Sequence, residues 1–135
     1  MEQTLLIIKP DAVNRDLIGE ILKRVEKDGF RIDGLKMLRV TPEEGGRFYQ
    51  VHKGKPFYQE LVDYISSGRI VVALLNREQA VEKLRQLIGA TDPRKAEKGT
   101  IRADFGLDIC HNSVHASDSN ENAKIEIDFF FGKKS

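Results

Sequence analysis

Cysteine is almost missing from the chain. Cys110 is the one thiol among 135 residues, which excludes an intramolecular disulfide framework and a Cys-rich metal site. Long apolar runs are missing too: none approaches the roughly 20 residues that a bilayer-crossing helix needs. The first residues, Met-Glu-Gln-Thr-Leu-Leu-Ile-Ile-Lys, lack the basic start and cleavage pattern of a secretory signal, so the expected address is the cytoplasm. Nor is there an excess of either charge. Lys and Arg total 22, Asp and Glu 21, and the formal net charge is +1, which gives no general field for nucleic acid or an anionic membrane. Two phosphate-handling signatures are likewise absent: the Gly-x-x-x-x-Gly-Lys-Ser/Thr loop and the protein-kinase set of Gly-rich loop, catalytic Asp and metal-binding Asp. Any binding of phosphate must rest on a few well-placed cations.

What remains is the composition of an ordinary globular protein, 40% hydrophobic and 32% charged, of a length that suits one domain spanning 1–135. Thr4 to Lys9 is a nearly continuous apolar run that fits a strand buried on both faces, halted at Pro10-Asp11. Leu17, Ile18, Ile21, Leu22 and Val25 share one stripe at helical spacing, with Gly29 as the stop. Phe30 to Val40 reads as a strand whose alternation shifts at Gly34, suggesting a bulge. Thr41-Pro42-Glu43-Glu44 resembles a capping box, so a short helix is expected through Tyr49 to His52. Another helix should begin near Pro56, with Phe57, Leu61 and Ile65 on one side. Ile70 to Leu75 is the plainest strand, and Val81, Leu84, Leu87 and Ile88 mark a helix closed by Gly89. Residues 90–100 read as an ordered loop, and Ser113 to His115 as a short strand. Asp118 with Glu121 looks like the cap of a last helix carrying Ile125, Ile127 and Phe130. Strands separated by helices predict a layered α/β domain with about four strands.

Three segments hold the chemistry. Asn112-Ser113-Val114-His115-Ala116-Ser117-Asp118-Ser119 puts a histidine at the end of a predicted strand, with Glu126 on the following helix. An imidazole can act as a nucleophile without a separate base, and a carboxylate holding one ring nitrogen would leave the other lone pair free. Taken alone, such a histidine reads more readily as a half-buried residue bonded to its neighbours. Lys9 ends a buried strand, where α/β domains often bind ligands; by itself it reads more readily as a charge guarding a strand terminus. Arg85, Thr91 and Arg102 offer delocalised charge and donors suited to phosphate, or the solvated flank of a helix and a surface ion pair. Cys110, His111 and His115 do not make a metal site: on an extended segment the two histidines lie about 13 Å apart.

Taken together the segments resemble one family. Lys9-Pro10-Asp11-Ala12-Val13, Tyr49, Pro56-Phe57, Arg85, Gly89-Ala90-Thr91-Asp92-Pro93, Gly99-Thr100-Ile101-Arg102 and Asn112 to Ser119 follow the order and spacing of nucleoside diphosphate kinases, from Thr4 to Phe131. The resemblance implies a ferredoxin-like α+β sandwich, a four-stranded antiparallel sheet covered by helices. It also implies a ping-pong transfer in which a nucleoside triphosphate phosphorylates a histidine that then passes the group to a nucleoside diphosphate. By this resemblance His115 is the nucleophile through Nδ1, Glu126 orients its other nitrogen and Ser117 supports that arrangement. Lys9 and Tyr49 join them in the catalytic set. Lys9, Tyr49, Arg85, Thr91, Arg102 and Asn112 are expected phosphate and ribose ligands, Phe57 the aromatic under the base with Leu61 beside it, and His52 a group facing the distal phosphates. Mg²⁺ is expected to ride on the nucleotide phosphates without protein ligands of its own. A homo-oligomer, tetramer or hexamer, is expected as well.

Two positions depart from the family pattern. Ala116 stands where the family usually has Gly, harmless unless the backbone there needs a positive φ. Arg69 stands where Pro is common. An RNA-binding module is the main alternative of another class, but Thr4–Lys9 and Ile70–Leu75 lack the aromatics such a sheet would present, so no specific nucleic-acid partner is expected. A silent relative would have no reason to keep His115, Lys9, Arg102 and Glu126 together.

Overall fold

The computed structural model describes residues 2–109 and 111–132. Cys110, weighed above as a metal ligand, lies outside the described residues. Four strands, β1 (Glu2–Ile8), β2 (Arg31–Leu38), β3 (Ile70–Arg77) and β4 (Val114–Ala116), form one sheet in the order β2-β3-β1-β4. Each pairing is antiparallel. Helices α1 (Pro10–Asn14), α2 (Ile18–Lys27), α3 (Pro42–Phe48), α4 (Tyr58–Ile65), α5 (Ala80–Ile88), α6 (Ile101–Phe105) and α7 (Asn120–Phe131) cover it. This is the ferredoxin-like arrangement that the sequence led us to expect.

The two-sided burial of β1 follows from its side-chain alternation. Leu6 and Ile8 enter one core with Ile21 and Val25 of α2 and Leu84 and Ile88 of α5. Leu5 and Ile7 enter a second core with Val62 and Ile65 of α4 and Phe130 of α7. A central strand clad on both faces needs no polar side, hence the continuous apolar run.

Local signals place the helices. Thr41 and Glu44 form a reciprocal capping box, with bonds of 3.1 Å and 2.8 Å. The helix ends at Phe48, and Gln50–His52 is a separate 3-10 turn. The pairing of β2 with β3 slips between Ile32 and Gly34, the bulge expected from that glycine. A side chain there would meet the Phe131 ring at 3.0 Å. Ala116 pairs with Leu6 inside the sheet and is not among the residues with positive φ, so alanine is accommodated.

Several expectations change. Pro10 does more than halt β1, since it occupies the first turn of α1. The supposed loop 90–100 holds a 3-10 turn at Pro93–Lys95 and leads directly into α6, capped by the Thr100 hydroxyl. Both helices have only five residues, too short for an apolar period to show. The last helix is capped by Ser119, which accepts from the Asn122 N–H at 3.1 Å. Asp118 instead binds the Asn122 side chain. Of its expected apolar face, Ile127 packs on the second core but Ile125 is 66% exposed.

Candidate active site

The fold brings the end of β1, β4 and the starts of two loops to one end of the sheet. Lys9 follows β1 directly and is only 5% exposed. Its Nζ donates to Asn112 Oδ1 at 2.9 Å, and Asn112 Nδ2 donates to the Thr91 carbonyl at 2.9 Å. One amide thus joins the end of β1 to the turn after α5. Buried Asn112 is 1% exposed, so its partners fix its orientation.

His115 lies in the middle of β4, opposite Ile7. Its Nε2 stands 2.9 Å from Glu126 Oε1, and the same oxygen accepts the Ser117 hydroxyl at 2.7 Å. Glu126 is on α7, so the carboxylate reaches back over the sheet to the strand that precedes its helix. The carboxylate needs a donor, which assigns the ring proton to Nε2. Nδ1 makes no hydrogen bond among the described residues and keeps its lone pair. Phe48 packs edge-on against the ring, with centroids 5.4 Å apart.

Two arginines surround this strand. Arg102, on α6 and 6% exposed, donates through Nη1 to the Gly89 carbonyl at 3.1 Å and through Nη2 to the Val114 carbonyl at 2.9 Å. Its buried Nε has no partner among the described residues. Burial, and then repulsion from Arg85, lower its pKa to about 10, with the Tyr49 phenol opposing. The guanidinium is therefore still charged at neutral pH, in a setting that favours an added anion. Gly89 makes this contact possible. Its φ is +89, and a Cβ would lie 2.5 Å from the Thr100 hydroxyl. Arg85 donates to the Ala116 carbonyl at 3.3 Å. It also helps to hold the Asp118 carboxyl below its usual range, behind the hydrogen bond from Asn122.

An aromatic series runs outward from His115. Phe48 touches Tyr49 at 5.0 Å, Tyr49 approaches His52 at 6.2 Å, and His52 meets Phe57 at 5.4 Å. Tyr49 is buried while Phe57 is 46% exposed. Burial of its surroundings, with Lys55 and His115 adding repulsion, pushes the His52 pKa down against the pull of Asp118. Leu61 lies one helical turn beyond Phe57 and packs on the second core.

His115, Glu126 and Ser117 thus form one hydrogen-bonded group, and Lys9, Asn112 and Thr91 another. Arg85 and Arg102 both bond to carbonyls of β4, whereas the rings of Phe57 and His52 are linked to that of His115 by way of Phe48 and Tyr49. Beside Arg85 and Asp118 opens a depression of about 660 Å³, but His115, Lys9 and Arg102 do not line it. Nothing in the sequence marks Phe48 beyond its adjacency to Tyr49. Asp118 reads there only as a cap, although it interacts electrostatically with Arg85 and His52. Among the described residues no group of three His, Cys, Asp or Glu side chains is placed to hold a metal ion. His111 is engaged with Asp108 at 3.0 Å.

The chain is similar to known proteins along nearly its whole length. A nucleoside diphosphate kinase of Campylobacter jejuni is 55% identical over 131 residues, covering 97% of this chain and 96% of its own. The crystal structure of the Aquifex aeolicus nucleoside diphosphate kinase superposes with a TM-score of 0.94 at 50% identity, covering 96% of this chain and 94% of that one. A halophilic nucleoside diphosphate kinase from Halobacterium salinarum, solved in complex with CDP, superposes with a TM-score of 0.94 at 40% identity, covering 98% and 88%. The family model described as nucleoside diphosphate kinase matches residues 2–135, and the chain belongs to that family.

Proposed function

We propose that this chain, acting as a single domain, is a nucleoside diphosphate kinase working through a phosphorylated His115. The observation that carries the proposal is the ring of His115, held at Nε2 by Glu126 and left with its Nδ1 lone pair, on a strand whose Val114 and Ala116 carbonyls bind Arg102 and Arg85 and which Asn112, the partner of Lys9, precedes. The Nδ1 pair attacks the terminal phosphorus of a nucleoside triphosphate, and an N–P bond forms. The bond to the bridging oxygen breaks, and the nucleoside diphosphate leaves with its electrons. Glu126 stabilises the positive charge that the ring acquires. A second diphosphate attacks the same phosphorus and frees the histidine. Over the whole cycle one phosphoanhydride bond is broken and an equivalent one is formed, so nucleotide concentrations set the direction.

Phosphoryl transfer depends on in-line positioning and on cations around the spreading negative charge. Lys9, Arg85 and Arg102 supply the charge, and Asn112, Thr91 and Tyr49 fix the phosphates and sugar. His52 faces the distal phosphates. Phe57, with Leu61 beside it, gives the base a stacking face without a hydrogen-bond reader, which makes the site tolerant of base identity. A Mg²⁺ would be held by the nucleotide's own phosphates and by water, with no acidic protein cage, and would neutralise part of the phosphate charge.

The reading extends to assembly. β2 is an edge strand, Leu35 and Met37 on it are 52% and 50% exposed, and Ile125 is also exposed. Apolar residues left on an open sheet edge support a homo-oligomer, a tetramer or hexamer. No helix among the described residues is long and apolar enough to cross a membrane, and we place the protein in the cytoplasm.

The test uses ATP labelled on its terminal phosphate, incubated with the protein and Mg²⁺ and chased with GDP. Label that enters the protein in an acid-labile, base-stable form and leaves as GTP supports the proposal. A folded wild-type protein that takes up no label would refute it.

A further inference from the structure

Ser113 is the most unusual residue near the site. It is fully buried, its φ is +77, and it is not glycine. The Val114 N–H bonds back to the Asn112 carbonyl at 2.9 Å across it, which is a left-handed γ-turn, a rare and strained form. The turn has an obvious consequence for the site. It stands between Asn112, the partner of Lys9, and Val114-His115. The Ser113 carbonyl also accepts the Lys9 N–H at 2.9 Å. The backbone of Lys9 and the side chain of Asn112 therefore both take their position from this one residue.

A strained backbone persists only where its surroundings hold it, and here a polar network does so. The Ser113 hydroxyl donates to Asp11 Oδ2 at 3.3 Å. Arg15 Nη2 bonds Asp11 Oδ2 at 3.0 Å, the Ser113 hydroxyl at 3.3 Å and the Phe105 carbonyl at 2.6 Å. On the other side, the Tyr64 hydroxyl donates to Asp11 Oδ1 and accepts the Asp11 N–H at 2.6 Å. Asp11 is 9% exposed, and both of its oxygens are engaged. This arrangement joins α1, α4, the end of α6 and the turn before β4. None of Asp11, Arg15 or Tyr64 belongs to the phosphate-binding set described above.

We propose that Asp11, clamped by Tyr64 and Arg15, is a positioning residue that holds Ser113 in its left-handed turn and thereby sets Lys9 and Asn112 against His115. The role rests on the kinase reading above, but the anchoring of the turn can be tested apart from it. If the clamp acts by holding a strained turn, a residue that adopts the turn without strain makes the clamp dispensable. Glycine is that residue.

The experiment compares Tyr64→Phe, Ser113→Gly and the double variant, measuring the rate of His115 phosphorylation by ATP, kcat and KM. Misplacement of the phosphate ligands should lower the phosphorylation rate of Tyr64→Phe by about tenfold to a hundredfold. In the Ser113→Gly background the same change should cost much less, within about threefold on that scale of effects. Equal losses in both backgrounds would show that Tyr64 serves general stability and would overturn the proposal. So would an unchanged rate in Tyr64→Phe. Arg15→Met, at a partly exposed position, provides the same comparison should Tyr64→Phe fold poorly. Amide hydrogen exchange supplies a readout that does not depend on turnover. Lys9 and Val114 should lose protection in Tyr64→Phe and regain it in the double variant, while Leu5 and Leu6 in β1 stay protected. Unchanged protection at Lys9 and Val114 would overturn the anchoring even if the kinase reading held, and inactivity of the wild type would count against the kinase reading alone.

Discussion

Ser117 and His115 share one acceptor, Oε1 of Glu126, at 2.7 Å and 2.9 Å. The hydroxyl keeps the carboxylate from swinging away and the carboxylate keeps the imidazole proton on Nε2. Glu126→Gln retains the shape but loses the charge, and its amide can turn to donate to Nε2 and place the ring proton on Nδ1. Turnover should fall by about tenfold to a hundredfold, the usual cost of removing an orienting partner, with little change in KM. Ser117→Ala should be milder in turnover and should lower Tm by a few degrees, since a charge-assisted bond is lost at a buried site. Steady-state kinetics and thermal melts of both variants check this. Full turnover in Glu126→Gln would remove the carboxylate from the mechanism.

His115→Ala should take up no label from ATP and should pass none to GDP. The side chain is 21% exposed and packs chiefly on Phe48, so the variant should stay folded with Tm within several degrees of wild type. Retained exchange in the folded variant would mean that another group accepts the phosphate.

Much of this was legible in the sequence because the relevant signals are local. β1 and β3 are apolar runs, Thr41 to Glu44 is a complete capping box, and Gly29 and Gly89 stop helices at positive φ. The motif residues His115, Lys9, Arg102 and Asn112 stood out only jointly, through the resemblance to one family. What could not be read depends on contacts between distant segments. Five-residue helices have no period to detect. Asp118 looked like a cap because its neighbour Ser119, with the same chemistry, competes for that place. The clamp on Ser113 draws on Asp11, Tyr64 and Arg15, which lie 102, 49 and 98 positions away; nothing local marks serine as left-handed.

Arg102 anchors two backbone carbonyls and presents a charge, so its removal should act twice. Arg102→Ala leaves the Gly89 and Val114 carbonyls buried without donors, at about 1–3 kcal/mol each before water enters. It also removes charge from the transferred phosphate. Transfer should weaken by about a hundredfold or more, the scale for losing one preorganised donor, while slow labelling of His115 by ATP survives. Arg102→Lys keeps the charge but cannot span both carbonyls, so it should recover part of the activity and little of the stability. Urea denaturation with single-turnover labelling separates the two effects. Equal stability in all three proteins would show that the carbonyl contacts are incidental.

His52 should give the protein an acid-sensitive component. Burial lowers its folded-state pKa below the ordinary imidazole value of 6.5, helped by Lys55 and His115 and opposed by Asp118. Below 6.5 the unfolded chain takes up a proton that the folded ring still refuses, so stability falls as the pH drops toward the lowered value. The stability is whole above 6.5 and is lost on the acid side. Asp118, itself held below 3.8, titrates outside this window and leaves it undisturbed. His52→Gln removes the titration while keeping a polar side chain of similar reach. Its melting temperature relative to wild type should therefore rise as the pH is lowered from about 7.5 to about 5, the interval in which a depressed histidine acts. Parallel curves for the two proteins would mean that His52 titrates as freely in the folded chain as in the unfolded one, and that its Nδ1, buried with no partner among the described residues, is open to water in solution.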